Sequence, residues 1–325
     1  MPRFGLPPII VHDRVRAMDA ELRPWSIDQM DVRKHPGRRG EGVNVGIVDS
    51  GYAPHADLEH AVIRTKDFTG SRSGATDMHG HGTHVAGTVA GRETGEGGVG
   101  VAPFANLAIA KALGDDGTGS DETTSEAITW LVEIGANIIN MSLGSQVKMP
   151  RTSEAIRLAT EAGVYVVVAA GNGGDNSRSW PALDERCVSV AAVDVNHRPA
   201  DFSEPSSVDV ACPGVKILSC YKNGQYAVLS GTSMAAPWFS GALAIFLSDL
   251  KHRGEPWPAP ARLFDVIKAW TDDIGQAGDD IKTGLGMVSP KKYAASFKKP
   301  EPSKPVEAWT PTIRFTENWA LCKRA

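Results

Sequence analysis

The run Val164-Tyr-Val-Val-Val-Ala-Ala170 is apolar throughout. A strand with one wet face alternates apolar and polar residues. A strand that does not alternate is covered on both faces, as in a parallel sheet between two layers of helices. Residues 43–49, 107–113, 137–141, 188–193 and 208–211 read the same way. Between them, residues 123–134 and 153–163 carry apolar positions near the 3.6-residue helical period. Ser153 is the expected N-cap of the second helix, and Gly163 stands past its end. Alternating strands and helices predict an α/β fold, a mostly parallel doubly wound sheet with helices on both faces.

Chemistry in such sheets gathers at the carboxyl ends of strands, and residues 43–49 end on Asp49. Ser230-Gly-Thr-Ser-Met-Ala-Ala-Pro237 presents one hydroxyl, Ser233, where small residues turn into the apolar helical run 238–250. Backbone N–H groups without intrahelical partners face outward at a helix start and favour a developing oxyanion. A serine hydroxyl needs a base and a residue to orient it. His81-Gly-Thr-His-Val-Ala-Gly87 and Val45-Gly-Ile-Val-Asp-Ser-Gly51 supply His81 and Asp49. His79, His81 and His84 lie close together, but their spacing lacks the i, i+4 pair of an H-E-x-x-H metal site. His84 therefore reads as a structural neighbour in a small-residue helix over 84–90. The nucleophile context Gly-Thr-Ser-Met-Ala is not the G-x-S-x-G of lipases and esterases.

These three segments, in the order Asp, His, Ser, closely resemble the subtilisin-like serine proteases, over roughly residues 25–297. The resemblance implies a serine endopeptidase acting through Asp49, His81 and Ser233, with Asn172 in Gly171-Asn172 as the oxyanion-hole amide. It implies cleft rims at Gly117, Thr118, Gly119 and at Ser142, Leu143, Gly144, which pair with an extended polypeptide substrate. His79 would wall the cleft, and Asp77 would flank it. Ala169, Ala170, Gly171 and the loop 173–181, with Ser179 near the floor, would line a primary pocket for a medium-to-large apolar side chain. Asp175 and Arg178 of that loop read as solvated. Asp121 stands where an aromatic residue often closes the distal pocket, which favours a basic substrate residue there. Ser145 replaces a second glycine of the rim. Asp57 matches a calcium ligand of many relatives, so calcium as a structural ion is expected on resemblance alone. The companion loop 91–100 has Thr94 where an amide is usual. No organic cofactor is implied. The alternative to an enzyme is a silent, peptide-binding pseudoprotease.

Residues 1–22 read as an N-terminal extension, 23–297 as the catalytic domain, and 298–325 as a Pro- and Lys-rich linker with a tail. Arg3-Phe-Gly-Leu-Pro-Pro-Ile9 resembles the extension that lies across the active site of intracellular subtilisins and blocks it. It departs in having two prolines and no following aromatic. Proline fixes φ and lacks an N–H, which spoils the strand pairing that holds a cleavable peptide.

The net charge of -4 argues against nucleic acid as the main partner. No apolar run approaches the ~18 residues of a membrane span, and residues 1–12 are too interrupted by Pro for a signal peptide. Cys187, Cys212, Cys220 and Cys322 show neither metal spacing nor a disulfide framework. A reducing, cytoplasmic compartment is the expectation. Oligomeric state is left open by composition.

Overall fold

The computed structural model describes residues 3–6, 10–15, 25–28, 39–92, 100–205 and 207–296. In chain order it opens with β1 (Arg3–Gly5), β2 (Ile10–Val15), α1 (Trp25–Asp28), β3 (Asn44–Asp49), β4 (Val62–Asp67) and α2 (His81–Ala90). There follow β5 (Asn106–Lys111), β6 (Thr118–Ser120), α3 (Asp121–Glu133), β7 (Ile138–Met141), α4 (Pro150–Glu161) and β8 (Tyr165–Ala169). Then come β9 (Val188–Val193), β10 (Val210–Pro213), β11 (Ile217–Tyr221), β12 (Gln225–Ser230) and α5 (Thr232–Arg253). The last elements are α6 (Leu263–Trp270), β13 (Thr271–Asp272), β14 (Met287–Val288) and α7 (Pro290–Ser296).

Nine strands form one sheet in the order β13-β14-β10-β9-β8-β7-β3-β5-β4. Every pairing in it is parallel except the β13–β14 edge. From β3 the chain builds outward through β4 and β5 on one side and through β7 to β10 on the other. The strand order thus reverses at β3, and the crevice beyond the carboxyl ends of β3 and β7 is where such sheets hold their sites.

Successive side chains of a strand point to opposite faces, so each apolar strand feeds two cores. Val45 and Ile47 join α2 and α5 on one face. Val48, Ile139 and Val168 join α3 and α4 on the other. A β11–β12 hairpin with β2 on its edge forms a second, three-stranded sheet.

Some element bounds differ from expectation. α4 begins at Pro150, three residues before Ser153. Pro150 at the first turn is preset in φ, and the orphan N–H groups of Arg151 and Thr152 donate to the Asp121 carboxylate at 2.9 and 2.8 Å. Ser153 instead donates to Asp184. The Asp121 side chain is thereby tied to a helix terminus, a role its reading as a distal-pocket acid did not include. α2 begins at His81 itself rather than at residue 84. α5 is long and apolar enough to cross a membrane, contrary to expectation; its apolar window is fully buried as the central helix of the core. Residues 7–9, Thr94 with most of its loop, and the whole of 298–325 lie outside the described residues.

Candidate active site

Five donors fix the turn that carries His81. The buried Asp77 carboxylate accepts from the Ser50 hydroxyl, the backbone N–H groups of His79, Gly80 and Thr83, and the Thr83 hydroxyl, all within 3.0 Å. It is an anion seated at the N-terminus of α2, where orphan N–H groups and the helix dipole favour it. Its work is to build the turn, a more local role than the cleft-flanking charge expected of it. Gly82 packs so closely on the preceding strand end that a Cβ there would lie 2.4 Å from the Gly51 carbonyl oxygen. Only glycine lets α2 approach β3 this way.

That approach brings His81 Nδ1 to 2.7 Å from Asp49 Oδ1, which also accepts the Ser50 N–H. Both side chains are buried. His81 Nε2 is buried and has no partner among the described residues. Asp49 ends β3, and Ser233 opens α5, so sheet and central helix meet here. The Ser233 hydroxyl donates to the Ser142 carbonyl at 3.3 Å. Behind it the Ser142 hydroxyl donates to the Ser233 carbonyl, and Asn140 Nδ2 donates to the Ser142 hydroxyl. Ser240, two turns further along α5, donates to Asn140 Oδ1. This buried chain of bonds locks the first turns of α5 to β7.

Asn172 stands one residue past Gly171, beyond the end of β8. Its Oδ1 accepts from the N–H and the hydroxyl of Thr232 at 2.9 and 2.8 Å. Its Nδ2 is buried without a partner among the described residues. The amide is therefore held by its acceptor, and its donor remains open.

His79 lies beside the site, its ring centroid 6.3 Å from that of His81. Burial, and then the neighbouring His81, lower its pKa. A Cβ on Gly117 would lie 3.1 Å from the His79 ring, so this imidazole does stand against the first rim. His84 is fully buried one turn along α2; its Nε2–H is shared between the Ile217 and Ala227 carbonyls, and burial pushes its pKa down to about 3. The ring bonds α2 to the β11–β12 hairpin.

Gly117, Thr118 and Gly119 run into β6, and β1 pairs antiparallel with that strand in the register Arg3↔Ser120, Phe4↔Gly119, Gly5↔Thr118. The Leu6 N–H continues the ladder to the Gly117 carbonyl at 3.1 Å. Phe4 is buried in the core on that side of the sheet.

A cavity of about 330 Å³ opens beside the second rim, lined by Leu143, Gly144, Ala169, Gly171, Ser179 and Glu204, with Phe4 and Gly5 of β1 also against it. Ser142 and Ala170 are buried nearby but do not line it. Glu204 was not legible as a site residue, and its carboxyl group lines the pocket expected to take a medium-to-large apolar side chain. It is 5% exposed; Oε1 accepts from the Gly173 N–H and the Ser179 hydroxyl, and Oε2 is buried without a partner among the described residues. In sequence it is one acid in the loop Phe202-Ser-Glu-Pro205. Only the tertiary bond from its N–H to the Gly171 carbonyl brings it under the pocket. Asp175, at the loop's exposed edge, pairs with Lys282.

Asp57 lies apart from this cleft. Its Oδ2 accepts from the Tyr226 hydroxyl at 2.9 Å, and its ligand atoms cluster with those of His55 and Cys220. Calcium takes six to eight oxygens. Among the described residues this cluster offers one carboxylate, beside a ring nitrogen and a thiol, and most of the companion loop lies outside the described residues.

Sheet, crevice and side chains define a class, the serine endopeptidases built on a parallel α/β sheet. The chain belongs to the subtilase family, whose model matches residues 40–286. It is 37% identical to subtilisin BL of Lederbergia lenta over 241 residues, which cover 73% of this chain and 87% of that one. It is 40% identical to subtilisin DY of Bacillus licheniformis over 278 residues, 83% and 98% of the two chains. It is 41% identical to the major intracellular serine protease of Bacillus subtilis over 224 residues, 65% and 70%. The chain is thus a serine endopeptidase whose substrates are polypeptides.

Proposed function

We propose that Ser233 is the nucleophile, His81 the general base and Asp49 the group that orients and stabilises the imidazolium. The observation that carries this is the buried 2.7 Å contact between His81 Nδ1 and Asp49 Oδ1, with Nε2 left without a partner among the described residues. With Nδ1 bonded to the carboxylate, Nε2 is the basic nitrogen. A rotation about the Ser233 side chain frees its hydroxyl from the Ser142 carbonyl for His81 to take the proton. The oxygen attacks the substrate carbonyl; Asn172 Nδ2 and backbone N–H groups at the start of α5 hold the oxyanion. His81 then protonates the leaving amine, and water releases the acyl group by the same route. Asn172 suits this because its other end is already fastened to Thr232. Calcium enters none of these steps.

The first residues belong to the same reading. Arg3–Leu6 fills the strand-pairing positions of the Gly117–Gly119 rim that an extended substrate needs, which supports residues 1–22 as an inhibitory extension. The test is intact mass over time with casein present, for wild type and Ser233→Ala. The expected result is casein loss and trimming within residues 1–22 in wild type only; casein hydrolysis in the alanine variant at the wild-type rate sinks the mechanism. In subtilisins, where the figure was measured, loss of this serine lowers kcat by about 10⁶. A reducing, cytoplasmic setting is proposed from the free, buried thiols of Cys187, Cys212 and Cys220. Recovery of the protein from culture medium rather than from cell extract would overturn that.

A further inference from the structure

Glu204 is a buried carboxyl side chain with no cationic partner among the described residues. Its carboxylate sits directly beneath Gly171: a Cβ on that residue, whose φ is +115°, would lie 2.4 Å from Glu204 Cδ and 2.6 Å from each oxygen. The backbone of Gly171 is thus glycine because the acid occupies the space behind it. Oε1 is anchored by Gly173 and Ser179. Among the described residues Glu204 forms no ion pair and Oε2 has no hydrogen-bond partner, while the residue lines the cavity. A buried carboxylate in this state is costly, and a buried ion is retained where a partner completes it. The cavity is lined by Leu143, the chain neighbour of Ser142, whose carbonyl accepts from the Ser233 hydroxyl, so a bound substrate is within reach to supply the partner.

We propose that Glu204 sets the specificity of this pocket, selecting polypeptides with lysine or arginine immediately before the scissile bond. This rests on the protease reading of Ser233. The walls fit such a side chain: Leu143, Gly144 and Ala169 offer apolar surface to an aliphatic stem, while Glu204 and the Ser179 hydroxyl meet the cationic head. A leucine or phenylalanine there would seal Oε2 away from water with no partner, the arrangement by which a polar site rejects an apolar competitor. A carboxylate at the bottom of the corresponding pocket makes the same choice in an unrelated serine-protease fold.

The experiment compares succinyl-Ala-Ala-Pro-X-p-nitroanilides, with X as Arg, Lys, Leu or Phe, for wild type, Glu204→Gln and Ser233→Ala. Wild type is expected to favour Arg and Lys over Leu and Phe in kcat/KM. The Arg-to-Leu ratio is expected to fall on the order of 100-fold in Glu204→Gln, the scale of removing one partner of a buried charge pair. Sequencing of casein cleavage products from wild type should show Lys and Arg before the cut, a readout that needs no variant to fold. Equal or better hydrolysis of Leu and Phe by wild type overturns the proposal, as does an unchanged ratio in the glutamine variant. A preference that disappears on chelation, with one metal equivalent bound by wild type and none by Glu204→Gln, also overturns it, since the acid would then hold an ion. If wild type hydrolyses nothing, the protease reading fails instead. Binding of p-aminobenzamidine then decides for the pocket: at least tenfold tighter binding to wild type than to Glu204→Gln upholds it, and equal binding overturns it.

Discussion

At the scale of single residues, the geometry of the proposed triad depends on groups outside it. Asp77 accepts five bonds, and two of them come from Thr83 in the first turn of α2. In Asp77→Asn at least one amide hydrogen meets a donor already there, and bonds to a charged group are worth about 1.5–3 kcal/mol. We expect a destabilisation of that size in urea titrations, with kcat reduced more than KM is raised because His81 loses its seat. A variant as stable as wild type, with full kcat, refutes the assignment. Asn172→Ala removes the open Nδ2 donor. In subtilisins, from which the figure comes, loss of one such donor costs about 10²–10³ in kcat, and we expect the same with KM little changed. A drop confined to KM would remove Asn172 from the oxyanion site. Asp49, His81, Ser233 and Asn172, the residues proposed for catalysis, stood out in the sequence because each sits in a local motif of small residues. Asp77 was legible only as a neighbour, and Glu204 not at all, because their partners are far off in sequence or supplied by backbone.

At the scale of elements, apolar runs announced the strands well, while helix starts were misread wherever the cap came from elsewhere. α4 is the clear case: its capping anion is Asp121, some 30 residues earlier, so no pattern around Ser153 could reveal it. The small-residue helix α2 is held to the β11–β12 hairpin by His84, a neutral ring in a dry place. Its pKa of about 3 in the fold compares with an ordinary value near 6.5 once unfolded. Between those values the unfolded chain binds the extra proton, so this group's contribution to stability is intact above pH ~6.5 and is lost as pH falls toward 3, at up to about 1.4 kcal/mol per unit. His84→Gln keeps an N–H for one of the carbonyls and does not titrate. In a Ser233→Ala background, which prevents self-digestion, the stability advantage of wild type over the glutamine variant should therefore shrink by about 2 kcal/mol between pH 7 and pH 5. A difference that is flat with pH shows that the ring is not held neutral.

At the scale of the whole molecule, the two ends of the story meet on β6, which carries one rim of the cleft and pairs with the chain's own third to fifth residues. The mostly parallel, doubly covered sheet was predictable from strand and helix alternation. The capture of β6 by β1 was not, because three residues of strand carry no periodicity and the pairing depends on a rim built more than a hundred positions later. Phe4 is the residue to change. It is buried on the core that includes Leu113, and a Cβ on its register partner Gly119 would lie 3.4 Å from the ring. Burial of such a ring is worth ~2 kcal/mol, a factor of ~30 in an equilibrium between covered and open clefts. An aspartate there forfeits that burial and adds a charge that must leave the core. If residues 1–22 inhibit, Phe4→Asp should raise the initial rate of casein hydrolysis by roughly tenfold or more and bring forward the trimming seen by intact mass. It should leave the rate after trimming equal to wild type, since the altered residue is then gone. An initial rate equal to wild type in the untrimmed variant means that the β1–β6 pairing does not restrain the enzyme, and the extension then serves the fold rather than its control.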